Sequence, residues 1–217
     1  MARTVLWALP GELVAADAVL VGEFDATIRG GEEAAGRHLA CRLGCTHCCV
    51  GPFDITALDA ARLVRGLEAL AGREPALAEE VRRRARQQWA RFAGEFPGDD
   101  ASGALADDEA ARQAFFERFA NLPCAALDPA DGRCNLYADR PLTCRSFGLP
   151  VRVGAEVLPA CALNFTAASD AERLAATVEP DPDDAEGRLL ARLAAAGGPA
   201  ADTIVAAALA LGHSGER

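Results

Sequence analysis

The sequence predicts a mainly α protein that carries a small, irregular cysteine-rich lobe with a β-hairpin. Three observations lead there. Long stretches repeat apolar residues at steps of three and four, as one face of a helix requires. Gly, Pro and Asp clusters separate these stretches. All eight cysteines lie within 41–161, in two groups that flank the helical stretch 56–121. With 217 residues, 51% of them hydrophobic, the chain has material for a core without help from cross-links. The expectation is one domain over 1–217, with a cysteine-cluster core at about 41–161 and a helical C-terminal appendage at about 165–217.

Taken in order, the first forty residues fit a helix or a short strand equally well. Residues 56–70 read as a helix: Thr56 with Asp59 three positions on forms a cap, and Leu63, Leu67 and Leu70 form the stripe. The clearest helix spans 76–96, where Leu77, Val81, Ala85, Trp89, Phe92 and Phe96 share a face. Arg82, Arg83, Arg84 and Arg86 lie opposite, beside Glu79 and Glu80, and read as a solvated charged face. EFPGDDASGAL at 95–105 reads as a loop. A helix over 107–121 has Asp107 or Asp108 as cap and Phe115, Phe116 and Phe119 for burial. Residues 124–137 place Asp131–Gly132 where a hairpin turn is wanted. Residues 151–158 alternate weakly around Gly154. Two last helices, 184–196 and 202–211, are separated by the breaker at 197–199.

The charge balance excludes one class of partner. Thirty-two acidic against 22 basic residues give a net charge of −10, which opposes sequence-independent binding to nucleic acid. The N-terminal stretch is interrupted by Pro10, Glu12 and Asp17 and does not read as a signal peptide. The apolar stretch 203–211 falls far short of the ~20 residues that cross a bilayer. The expectation is therefore a cytoplasmic protein with no membrane partner. Thiols stay reduced there, so clustered cysteines point to metal or redox chemistry rather than to disulfides.

Cys41, Cys45, Cys48, Cys49, Cys124, Cys134, Cys144 and Cys161 are the candidate metal ligands. Thiolates suit zinc and iron–sulfur clusters, and both commonly take four per site. Eight cysteines thus fit two four-thiolate sites or one multinuclear site. Cys45 and Cys48 have the two-residue gap of a thiolate knuckle, and Gly44 supplies freedom for its turn. Side chains of adjacent residues usually diverge, so Cys48 and Cys49 are expected to serve different metals, or one of them to bridge two. A divalent ion with four thiolates carries +2 − 4 = −2, which calls for cationic neighbours. Arg42, Arg133, Arg140 and Arg145 each lie within four positions of a cysteine. Arg140 and Arg145 are the candidates to offset that charge or to donate to sulfur. His47 and His38 could replace a thiolate, although eight cysteines make neither necessary, and His213 stands apart.

Other readings of the same residues are weaker. Cys41-x3-Cys45-x2-Cys48 has the spacing of radical S-adenosylmethionine enzymes, but no series of alternating strands and helices follows it. A thiol oxidoreductase needs one attacking and one resolving cysteine, and eight is an excess. No catalytic grouping and no phosphate-binding glycine loop is legible.

CRLGCTHCC at 41–49, LPC at 122–124 and CNLYADRPLTCRSFG at 134–148 resemble the YkgJ-type cysteine-cluster family, a zinc- or iron-chelating domain named for a CxxxCxxCC-like motif. The downstream family pattern falls on Cys134, Leu136, Tyr137, Arg140, Pro141, Cys144, Arg145 and Phe147, with Cys161 the last of the eight. The resemblance spans about 41–161 and implies chelation of zinc or iron, an iron–sulfur cluster included; it implies no particular reaction. The alternative is an iron–sulfur oxidoreductase or electron-transfer protein. Pro141 suits the first turn of a helix, which would set Cys144 and Arg145 near an N-terminal end that favours thiolate. Tyr137 is expected to pack beneath the site.

Overall fold

The computed structural model describes residues 6–42 and 44–212. The N-terminal segment that the sequence left open is one long helix, α1, Gly11–Ala35. Its buried face runs Leu13, Asp17, Leu20, Phe24, Ile28, Gly31 and Ala35, at steps of three and four throughout. Two of these positions are Asp and Gly, which hides the stripe from a hydropathy reading. Asp17 stays buried because Arg62 Nε donates to it at 2.9 Å and Arg65 Nη2 at 3.1 Å. Gly31 admits a close neighbour: a Cβ there would lie 2.3 Å from Val178 Cγ1.

Helix α2, Ala57–Arg73, starts on the predicted cap, with the Thr56 side chain and Asp59 satisfying each other's backbone N–H. Leu58, Leu63, Val64, Leu67 and Leu70 are all buried, so α2 is the central helix. Helix α3, Pro75–Phe92, has its proline at the first turn and buries Ala78, Val81, Ala85 and Phe92. It ends before the predicted boundary, because Gly94 takes a φ of +78°. Its arginines lie largely along a surface ladder in which Arg83 reaches Glu80 and Arg86 reaches Glu79, each at 2.5 Å. Such exposed pairs are worth about 0–1 kcal/mol.

The 95–105 segment is a loop pinched by one short antiparallel pair, β2 (Gly98–Asp99) with β3 (Ala104–Leu105), numbered after β1 (Asp54–Ile55). Helix α4, Glu109–Arg118, is capped by Asp108. It brings Phe115 and, just past its end, Phe119 against Phe92, with ring centroids 5.1 and 4.9 Å apart. Strand β6, Thr203–Ile204, pairs with β1 and leads into α8, Val205–Leu211. Helix α8 packs against both α2 and α3.

The remaining elements gather on α1: α5 (Leu142–Ser146), α6 (Asp170–Ala175) and α7 (Ala185–Ala195). Residues 151–158 form the hairpin β4 (Val151–Val153) and β5 (Glu156–Leu158), turning at Gly154 with φ +58°. The 124–137 hairpin is reduced to a single antiparallel bridge, Leu127 with Cys134. Asp128 and Asp131 explain this: their carboxylates accept from Ala130 N and Arg133 N, so local turn bonds replace a strand ladder. The mainly α class is as the sequence predicts. Among the described residues no helix is long and apolar enough to cross a membrane.

Candidate metal centre

Two consecutive turns carry the first four cysteines. Cys45 N donates to Arg42 O and Cys49 N to Thr46 O, each at 2.9 Å, and Gly44, inside the first turn, takes a φ of +83°. The second group docks onto these turns through the backbone. Cys124 N donates to Cys49 O at 2.9 Å, and Gly51 N to Leu122 O at 2.7 Å. The Asp131–Gly132 loop lies against the first turn, since a Cβ at Gly132 would come within 3.1 Å of Gly44 O. Helix α5, which carries Cys144, is anchored at its start: Leu142 N donates to the buried Asp59 carboxylate at 2.9 Å. Asn164 reaches Cys41 from the segment that follows Cys161.

All eight cysteines are free thiols; Cys41 is exposed and the others are half-buried. Electrostatic influence sorts them. Burial raises the Cys41 pKa, and Cys45, Cys161 and Cys48 add to the rise, while the Asn164 hydrogen bond opposes it. Burial pushes Cys124 up to about 11, with Cys134 adding to the rise and Arg84 opposing it. Burial also raises Cys144, helped by Cys124 and Cys134. Burial raises Cys134, against the pull of Arg140. The vicinal thiols act most strongly on each other: Cys49 pushes the Cys48 pKa up, and Cys48 pulls that of Cys49 down. Cys49 in turn senses Cys124, Cys134 and Cys144. The two adjacent sulfurs therefore interact directly, and Cys48 too acts on Cys134 and Cys144 while also acting on Cys41. Among the described residues no group of three or more His, Cys, Asp or Glu side chains stands preformed to hold an ion.

Several sequence expectations change here. The helix end was to favour a thiolate at Cys144, yet its pKa is raised: α5 has only five residues, and burial beside other thiols outweighs so short a dipole. Tyr137 does not pack beneath the site. It is 63% exposed, turned outward on the 3-10 turn Tyr137–Asp139, and Arg140 stacks on its ring at 3.8 Å. Arg140 still lies close enough to lower the pKa values of Cys48 and Cys134. Arg145 is buried and its hydrogen-bond partners are oxygens: Asp25 at 2.7 and 3.0 Å, Arg140 O at 3.1 Å, and Ala138 O. It clamps the backbone under the site to α1. His47 is exposed, and His38 meets Glu172 at 3.1 Å. His213 lies outside the described residues.

Two residues were missed. Arg84, read as part of a solvated run, does pair with Glu80 at 3.2 Å but also donates through Nε to Ala125 O at 3.0 Å, and its buried Nη2 has no partner. Asn164 is buried and donates to Cys41 Sγ at 3.3 Å. Only its spacing of three from Cys161 marked it in the sequence. An open cleft of about 500 Å³ between Thr46, Arg84, Gln87 and Gly132 reaches Cys124. Eight unpaired thiols, with a cationic Nη2 left without an acceptor on the residue that acts on Cys124, suit a thiolate-bound metal.

A family model, CxxCxxCC, described as "Putative zinc- or iron-chelating domain", matches residues 40–162, more than half of the chain. The chain belongs to this family. No curated protein and no solved structure matches it. That description names chelation of zinc or iron, and the matched span takes in all eight cysteines of this chain.

Proposed function

We propose that the protein binds zinc or iron through two four-thiolate groups joined at the vicinal pair. The outer group is Cys41, Cys45, Cys48 and Cys161; the inner group is Cys49, Cys124, Cys134 and Cys144. The observation that carries this reading is how the segments dock: Cys124 N donates to Cys49 O at 2.9 Å, while Asn164 donates to Cys41 Sγ at 3.3 Å and, through its own N–H, to Cys161 O at 2.8 Å. Each group supplies the four sulfurs that a tetrahedral zinc or an iron–sulfur cluster takes. Arg84 and Arg140 offset the charge of the inner group, as their effects on Cys124 and Cys134 indicate. Cys48 also lies within reach of the inner thiols, since it raises the pKa values of Cys134 and Cys144. That position suits a bridging role.

Elemental analysis and a visible spectrum after anaerobic purification test the reading. Two metal-binding centres per chain, with all cysteines protected from alkylation, are expected. A colourless protein with two zinc ions and a brown protein with iron and sulfide both fit, and they separate a metal-binding role from an electron-transfer role. One mononuclear ion with four cysteines freely alkylated overturns it.

A further inference from the structure

Asn164 sits at a junction of three chain segments. Its Oδ1 accepts from Ala40 N at 2.8 Å, and its Nδ2 donates to Gly148 O at 2.7 Å. Its own N–H donates to Cys161 O at 2.8 Å. The first two partners fix which way the amide faces. Ala40 N–H can only donate and Gly148 C=O can only accept, so oxygen and nitrogen cannot be exchanged. The one side-chain N–H left over points at Cys41 Sγ, 3.3 Å away. Gly148 makes the approach possible: its φ is +123°, and a Cβ there would lie 3.1 Å from that sulfur and 3.2 Å from Asn164 Nδ2.

We propose that Asn164 is the positioning residue for the outer thiolate group, holding the Cys41 sulfur in place through an N–H···S hydrogen bond and tying it to the segment of Cys161. The proposal rests on the outer group being a ligand set. Cys41 needs such a fixture, since it is exposed and lies 120 positions before Cys161. An amide donor on a metal-bound thiolate also withdraws charge from sulfur, which shifts ligand-to-metal charge transfer; a merely structural asparagine does not.

Anaerobic titration with Co²⁺, read by thiolate-to-cobalt charge transfer, is the test. N164D keeps the acceptor for Ala40 and removes the N–H; N164A carries the test if N164D fails to fold. Expected are a 10- to 100-fold weaker outer Co²⁺ affinity, the range of ~10–100-fold seen for outer-shell partners, a shifted charge-transfer band, and unchanged inner binding. In a C41S background the same substitution has no further effect on affinity. Wild-type affinity and band position in N164D, or additive losses in the double variant, overturn the proposal while leaving the ligand set standing. If C41S itself binds two equivalents of Co²⁺ as the wild type does, the ligand set falls, and the proposal with it.

Discussion

The helical core and the cysteine lobe hold together by different physics. In the core, α2 buries five large aliphatic side chains, and α3 and α8 pack over it. Burying each such side chain stabilises by roughly 1.5–3 kcal/mol, so this half can form from apolar burial alone. The lobe contributes fewer large side chains to that same core, Leu136, Leu142, Leu149 and Phe165 among them. It is otherwise built of glycine turns, isolated bridges such as Val50 with Pro123, and half-buried thiols. Several of those thiols are pushed up by burial, so the lobe without metal holds protons where ligands would lie. On the proposed reading, the core forms without metal and the lobe depends on what the thiols bind.

The largest expected effect tests that dependence directly. A structural four-thiolate zinc contributes on the order of 10 kcal/mol in small domains. Stripping the metal with a chelator, or replacing Cys124 and Cys144 together by Ser, is expected to release hydrogen-exchange protection over 44–51, 124–135 and 142–146. Protection in α2 and α3 should persist. A single unfolding step at an unchanged temperature, with and without chelator, breaks the contrast.

A second test cuts the joint between the halves. Arg145 is buried and fastens Ala138 and Arg140 carbonyls to Asp25 on α1. Arg145→Met leaves these acceptors and the carboxylate without their partner, at a cost of about 3 kcal/mol. Denaturant unfolding of the metal-bound protein measures it. The contrast sharpens if the metal-free protein loses much less, because the lobe that Arg145 anchors is then already loose.

How much could be read from the sequence follows the same division. Helices α2 and α3 were legible because their apolar stripes are local and unbroken, and α2 also starts on a capping box. Helix α1 was not, because Asp17 and Gly31 occupy core positions whose justification lies in Arg62, Arg65 and Val178, far along the chain. The eight candidate ligands were legible from residue type alone. How the two cysteine segments meet was not, since Cys124 N donates to Cys49 O, a pairing that no spacing encodes. Arg84 was masked by the arginines around it, and Asn164 had no motif to announce it. The short segment after Pro141 looked like a helix start that would ionise Cys144, but burial of the thiol is a tertiary effect that reverses the local one.

The smallest effect concerns an ionic knot of the core, Asp17, Asp59 and Glu186 around Arg62. Glu186 accepts from Thr56 Oγ1 at 2.9 Å and faces Asp59, Arg62 and Asp181. Burial first, and Asp59 second, push its pKa up to about 7 from an ordinary value of 4.5. The folded state therefore binds this proton more tightly than the unfolded chain does. Stability falls as pH rises between those two values, and the full penalty remains above the higher one. Glu186→Gln keeps an acceptor for Thr56 and removes the charge. It should flatten the decline in stability between about pH 5 and 7, and add about 1–3 kcal/mol at about pH 8. Denaturant unfolding of both proteins across that range reads this carboxyl together with its coupling to Asp59, while the contribution from Asp202 cancels in the difference. Parallel curves would mean that Arg62 already neutralises Glu186. The core would then answer to pH no more than to metal, and the lobe alone would carry the protein's sensitivity to its surroundings.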